Sequence, residues 1–341
     1  MPALTLDEAV RHSYQQLREG KISEARELLQ RVLSHIDHPD AKRLLMQTES
    51  LLPLEQVVDS LRHISHLMFQ AANQEVVSNW LAGQRLYRDL LAEECYADPR
   101  RLERFGAKFY SQNDEDGIIA EIFRRIGTTN RIFVEFGVNT GLENNTLLLT
   151  YQDWQGVWMD GSEQNIAFIR RKFAPLIERQ RLQVAQQWIR VETINQVLQS
   201  FRLPEEIDLV SIDIDGNDYY IFESMTAVRP RVCVIEYNAK LPPPILAVMR
   251  YDAEWMVHEL TDYFGCSLAA LTRMANRKGY QLVGCNITGI NAFFVRDDLC
   301  GDLFYQPATA EALYQPPRYG FHHAGTFRVG HPTSYGPWQI G

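Results

Sequence analysis

The chain has 341 residues, more than one ordinary domain holds, so one large and one small unit are expected. Hydrophobic residues make up 45% and charged residues 23%, a globular composition able to bury a core without disulfides. The net charge of −9 argues against a general nucleic-acid or anionic-membrane surface, and no run approaches the ~18 apolar residues of a membrane span. The five cysteines, Cys95, Cys233, Cys266, Cys285 and Cys300, form no Cys-x-x-Cys pair, so neither a zinc site nor a disulfide framework is expected. The opening MPALTLDEAV lacks the basic region and apolar core of a secretion signal, which makes the cytoplasm the expected compartment.

Residues 1–75 are expected to form a small helical domain. Apolar positions recur at helical spacing in LDEAVRHSYQQL and in ISEARELLQRVL, and Gly20 between them suits a helix C-cap. Leu17, Gly20, Ala25, Leu29 and Val32 resemble one degenerate tetratricopeptide repeat, continued loosely by residues 54–72. Such a unit cannot bury its apolar face alone. It therefore caps the larger domain, self-associates, or docks a protein partner. Residues 76–106 read as a charged helical connector, without the Gly/Ser/Pro bias of a linker.

From residue 107 to 300 the pattern becomes strand–helix alternation. Apolar runs appear at 132–136, 156–159, 182–185, 207–214, 232–237, 280–285 and 292–295. Alternating βα units imply a mostly parallel sheet of seven strands covered by helices, an α/β Rossmann-like fold. Only NITGIN separates the last two runs, so the final strand is expected to be antiparallel. Residues 301–341 form a Pro/Gly/aromatic tail, too aromatic for ordinary disorder and expected to be ordered against the domain.

Three places concentrate chemistry. In IFVEFGVNTGLENN an apolar strand runs into Glu135, then Gly137, Asn139 and Gly141; the glycines allow a tight turn and close approach of backbone to a ligand. The next strand ends at Asp160, where Rossmann-like folds hold ribose hydroxyls with a carboxylate; capping of the helix from Glu163 is the alternative. In DLVSIDIDGNDYYIF, Asp213, Asp215 and Asp218 crowd one strand end, and such acids repel unless a cation or donors compensate. A divalent metal, Mg²⁺, held by Asp213, Asp215 and Asn238 at the end of the following strand is one solution; helix capping is the other. Gln187 and Trp188 follow the third strand, where an aromatic ring can stack on a base or belong to the core. His258 is a candidate general base with an unperturbed pKa near neutrality, or a surface helical histidine.

Glu135-x-Gly137-x-Asn139-x-Gly141 and Ile212-Asp213-Ile214-Asp215-Gly216-x-Asp218 resemble the signatures of FkbM-like methyltransferases, which depend on S-adenosylmethionine (SAM). The resemblance covers roughly residues 110–300. Asp215 and Asp218 stand where that family carries glutamates, and Ser211 where it often carries lysine. The resemblance implies a SAM methyltransferase fold and O-methylation of a hydroxyl on a sugar, glycan or related small molecule. Glu135 would then face the aminoacyl end of SAM and Asp160 its ribose. Asp213, Asp215 and His258 are the catalytic candidates. A non-catalytic scaffold with a vestigial Rossmann-like domain is the alternative, and an NAD enzyme is opposed by the absence of Gly-x-Gly-x-x-Gly.

Overall fold

All seven apolar runs lie side by side in one sheet of the computed structural model, which describes residues 6–34, 37, 39–49, 77–78, 81–256, 261–319 and 339–340. The strands are β1 (Ile132–Phe136), β2 (Gln155–Asp160), β3 (Leu182–Gln186), β4 (Glu206–Ile212), β5 (Arg229–Glu236), β7 (Tyr280–Cys285) and β8 (Asn291–Arg296). A separate two-residue strand, β6 (Ala247–Val248), pairs with β9 (Gln339–Ile340). The large sheet has the order β3-β2-β1-β4-β5-β8-β7. Strands β1 to β5 are parallel, and β8 runs antiparallel to its neighbours β5 and β7, as the short NITGIN link requires.

The runs are continuously apolar because successive residues enter two different cores. Val134, Phe136, Val157, Met159, Val210, Ile212, Cys233 and Ile235 face one cluster. Phe133, Trp158, Leu209, Val232, Val234 and Phe293 face the other. Helices cover the two faces: Ile118, Ile119 and Ile122 of α3 (Glu115–Ile126) and Ile166 and Ile169 of α5 (Glu163–Lys172) pack into the second cluster. Ile194 and Leu198 of α7 (Ile194–Ser200), Ile221 and Phe222 of α8 (Asp218–Ser224) and Leu271 and Met274 of α9 (Leu268–Arg277) pack into the first. Two shorter helices, α4 (Leu147–Thr150) and α6 (Ala174–Glu178), lie in the β1–β2 and β2–β3 connections. Ser162 and Ser267 cap α5 and α9 by accepting a backbone N–H one turn in. The chain reverses its direction of travel across the sheet between β1 and β4, the place where open parallel sheets leave a crevice beyond their carboxyl ends.

The chain divides into two compact units, Met1–Val77 and Ser78–Gly341. In the first, α1 (Leu6–Arg18) and α2 (Ile22–Leu33) form a hairpin, and a further helix spans 39–49. Gly20, with a φ of 77°, ends α1: its N–H reaches Leu17 O and that of Lys21 reaches Gln16 O, the paired bonds of a left-handed C-cap. Ala9, Val10, Leu29, Val32, Ala41 and Leu44 form the small core. The continuation read at residues 54–72 lies outside the described residues.

The connector differs from the helical expectation. A helix spans 81–91, then two 3₁₀ turns follow at Glu94–Tyr96 and Glu103–Phe105. Pro99 lacks an N–H, and Asp98 takes both the backbone and the guanidinium of Arg100, so a turn replaces the helix. Leu102 is fully buried against Gly284 in the core of the second unit. The start of the tail packs on the same unit: Gln315 accepts from Tyr237 and Tyr96, and Arg318 donates to Thr288 and Ile287.

Candidate active site

The turn after β1 alternates handedness. Gly137, Asn139 and Gly141 have φ of 74°, 49° and 74°, a region that costs glycine nothing and other residues more. Gly137 lines the cavity and is also demanded by the fold itself. A Cβ there would lie 1.6 Å from the carbonyl oxygen of Asp213, so glycine is required by the closeness of the β1 and β4 strand ends. Glu135, only 2% exposed, is equally committed to the protein. Its carboxylate accepts from the backbone N–H groups of Asn145 and Thr146 and from the side chains of Asn144 and Thr146. It therefore holds the 144–146 loop, and burial raises its pKa. Asn144, with its amide nitrogen used on Glu135, leaves a buried Oδ1 without a partner.

Asp160 caps the second strand end with bonds in two directions. Oδ2 accepts from Asn139 N at 2.8 Å; Oδ1 accepts from Ser162 N at 2.8 Å and Asn165 Nδ2 at 3.1 Å. A carboxylate offers about four acceptor positions, so about one remains, where the sequence suggested two for a ribose. Ser162, rather than Asp160, is the N-cap of α5. Beside it Trp188 packs against Gly161, whose missing Cβ would meet the indole at 2.5 Å. Trp188 Nε1 donates to Ala253 O, and Gln187 N donates to Asp160 O.

The acid cluster is sorted by its hydrogen bonds. Asp218 accepts from the N–H groups of Ile214 and Gly216, each at 2.9 Å, and so folds the loop after β4. Asp213 and Asp215 are joined by Glu236: one carboxylate oxygen from each lies within 4.8 Å of the others. Asn238 is not part of this group. Its Nδ2 donates to the carbonyls of Asp262 and Phe264, and its Oδ1 accepts from Lys240 N. The structure brings Glu236 there because β5 stops at Glu236 and the chain turns away before Asn238. Burial, then the charge of Asp215, pushes the Asp213 carboxyl well above the usual range; burial, then Asp213, does the same to Glu236.

A cavity of ≈530 Å³ lies beyond the carboxyl ends of β1, β2 and β4. Glu135, Gly137, Asn139, Asp160, Gln187, Trp188, Asp213 and Asp215 line it; Gly141 supports the turn from beneath, against Trp158. Trp255 and Met256 also line the cavity, and their segment is tied by Asn217 to Asp252, by Arg190 to Glu254, and by Trp255 Nε1 to Asp215 O at 2.9 Å. His258 lies outside the described residues, as do the tail histidines His322, His323 and His331. Sequence reasoning missed Asn144, Glu236, Trp255 and Asn291. Only Glu236, in a strand-end position, carried a readable signal.

Several solved structures are similar to this chain. One is a magnesium protoporphyrin IX methyltransferase from Synechocystis with bound SAM, 12% identical, covering 63% of this chain and 97% of its own, with a TM-score of 0.37. Another is a SAM-dependent methyltransferase from Clostridium acetobutylicum, 11% identical, covering 52% and 89%, with a TM-score of 0.34. A third is a glycopeptide N-methyltransferase complexed with SAM, 13% identical, covering 52% and 86%, with a TM-score of 0.31. No curated protein matches the sequence. Residues 107–264, which hold the Gly137–Gly141 turn, Asp160, Asp213 and Glu236, match the family model described as the methyltransferase FkbM domain, and this match supports a SAM-dependent methyltransferase.

Proposed function

We propose that the chain is a SAM-dependent O-methyltransferase acting on a hydroxyl of a sugar, glycan or related small molecule. The observation that carries this reading is the charge of the cavity. Glu135, Glu143, Asp160, Asp213 and Asp215 line it, and no lysine, arginine or histidine does so among the described residues. SAM is a net cation, with a sulfonium and an ammonium against one carboxylate, and an anionic wall around poorly screened space attracts it. The pyrophosphate of a dinucleotide or nucleotide sugar would meet the same wall unfavourably. The buried, unpartnered Oδ1 of Asn144 suits an ammonium donor.

Asp160 retains one acceptor position for a ribose hydroxyl, and Trp188 offers an aromatic face to the base. Asp213 and Asp215 would orient the acceptor hydroxyl at the far side of the cavity. Bound SAM would supply a methyl activated by its sulfonium and leave as a neutral thioether, and the acceptor's hydroxyl proton would pass to a carboxylate or water.

Calorimetric titration with SAM, beside NADH as a control, tests the cofactor; labelled methyl transfer to a panel of sugars and hydroxyl-bearing glycans tests the acceptor. Saturable binding of SAM and none of NADH is expected. Folded protein that ignores SAM would overturn the reading and leave a scaffold with a vestigial domain.

A further inference from the structure

We infer that Asp213, Asp215 and Glu236 bind a divalent cation of the Mg²⁺, Mn²⁺ or Ca²⁺ class, with the side-chain carbonyl of Asn291 as a further oxygen ligand. The three carboxylates supply oxygens within 4.8 Å of one another. Oxygen ligands about 2.1–2.6 Å from such an ion stand about 3–5 Å apart, so one ion spans the set with little movement. The group contains only oxygen donors, which selects hard cations over zinc or copper.

An acid cluster alone would not make a site, and the second observation is independent of it. Asn291 is only 3% exposed and pairs across the sheet with Glu236. Its Nδ2 donates to Glu115 Oε1 at 3.0 Å. A carboxylate accepts only from a donor, so the amide orientation is fixed and Oδ1 points the other way. That Oδ1 has no hydrogen-bond partner, and Asn291 lines the same cavity as Asp213 and Asp215. Glu236 Oε2 is likewise buried without a partner. Two buried acceptors on neighbouring strands thus go without donors beside two further carboxylates. Buried acceptors left unpaired are costly, and a cation satisfies all of them at once.

The inference does not rest on the methyltransferase reading. It predicts binding of the metal alone. Trp255, bonded to the Asp215 carbonyl, lies close enough to sensitise a bound lanthanide, so Tb³⁺ is the probe. Full-length protein freed of metal is titrated with Tb³⁺ under excitation of tryptophan. Saturation at one ion per chain, with displacement by Ca²⁺ or Mn²⁺, is the expected result. Glu236→Gln and Asp215→Asn should each weaken binding at least tenfold, while circular dichroism shows them folded. Emission that fails to saturate at one ion, or affinity unchanged in these folded variants, overturns the inference. A parallel titration of SAM in excess chelator reads the cofactor proposal separately: SAM bound without metal leaves that proposal standing whichever way the Tb³⁺ result falls.

Discussion

Strand β4 carries one aspartate near its start and is followed by another just past its end, and the two are treated oppositely. Asp208, near the start, is fully buried yet compensated on every side. It accepts from the backbone N–H groups of Thr129, Asn130 and Arg131 and from Arg231 at 2.8 Å. Arg231 also donates to the carbonyls of Ile126 and Gly127. Asp213, just past the other end, has acids for neighbours. A buried charge closed off by its own protein is architecture. A half-buried carboxyl that faces a cavity among other acids is left for something else to answer, as a binding site would be.

The sharpest way to break this contrast is at the architectural end. Arg231→Met should strand Asp208 without its cation and destabilise the domain by about 3–5 kcal/mol, read by chemical denaturation. Gly137→Val attacks the cavity end through backbone, with a Cβ driven into the Asp213 carbonyl at a φ of 74°. A loss of about 2–4 kcal/mol in stability is expected, so lost SAM binding in this variant would follow from lost fold. Asp160→Ala should weaken SAM by about 1.5–3 kcal/mol in calorimetry, since a charged hydrogen bond is removed. The smallest effect sharpens the contrast most. Glu236→Gln in chelator should leave stability unchanged or raise it by about 1 kcal/mol, about 2–4 °C in Tm, because one member of a repelling set is neutralised. A drop as large as that of Arg231→Met would make the two ends alike.

Much of this was legible beforehand, for identifiable reasons. The seven strands announce themselves as apolar runs, and Asp160 and Asp213 were singled out because one directly follows such a run and the other lies near the end of one. Glu236 was passed over for Asn238. Both faces of β5 are buried, so Arg-Val-Cys-Val-Ile-Glu shows no alternation to say which residue faces which side or where pairing stops. Asn291 was read as the close of a hairpin turn, and its partner Glu115 lies 176 residues away, beyond any local pattern. The contact of Gly137 with the Asp213 carbonyl was not legible, because a sequence shows that a Cβ is missing and not what would have met it.

The two tryptophans at the cavity have an evolutionary consequence. Each lies on a glycine: Trp188 on Gly161 and Trp255 on Gly216, with a hypothetical Cβ 2.5 Å from the ring in each case. Neither glycine has a positive φ, so the obstacle to a side chain is the ring, joined at Gly216 by Met249 Sδ at 3.1 Å. Substitution at position 161 or 216 is thus conditional on its partner. Gly161→Ala is harmful beside Trp188 and tolerable beside a smaller side chain, so the two losses should not add. Homologues that enlarge one position should shrink the other, and an alignment read column by column would score as two variable sites what is a single exchange of volume across the cavity wall.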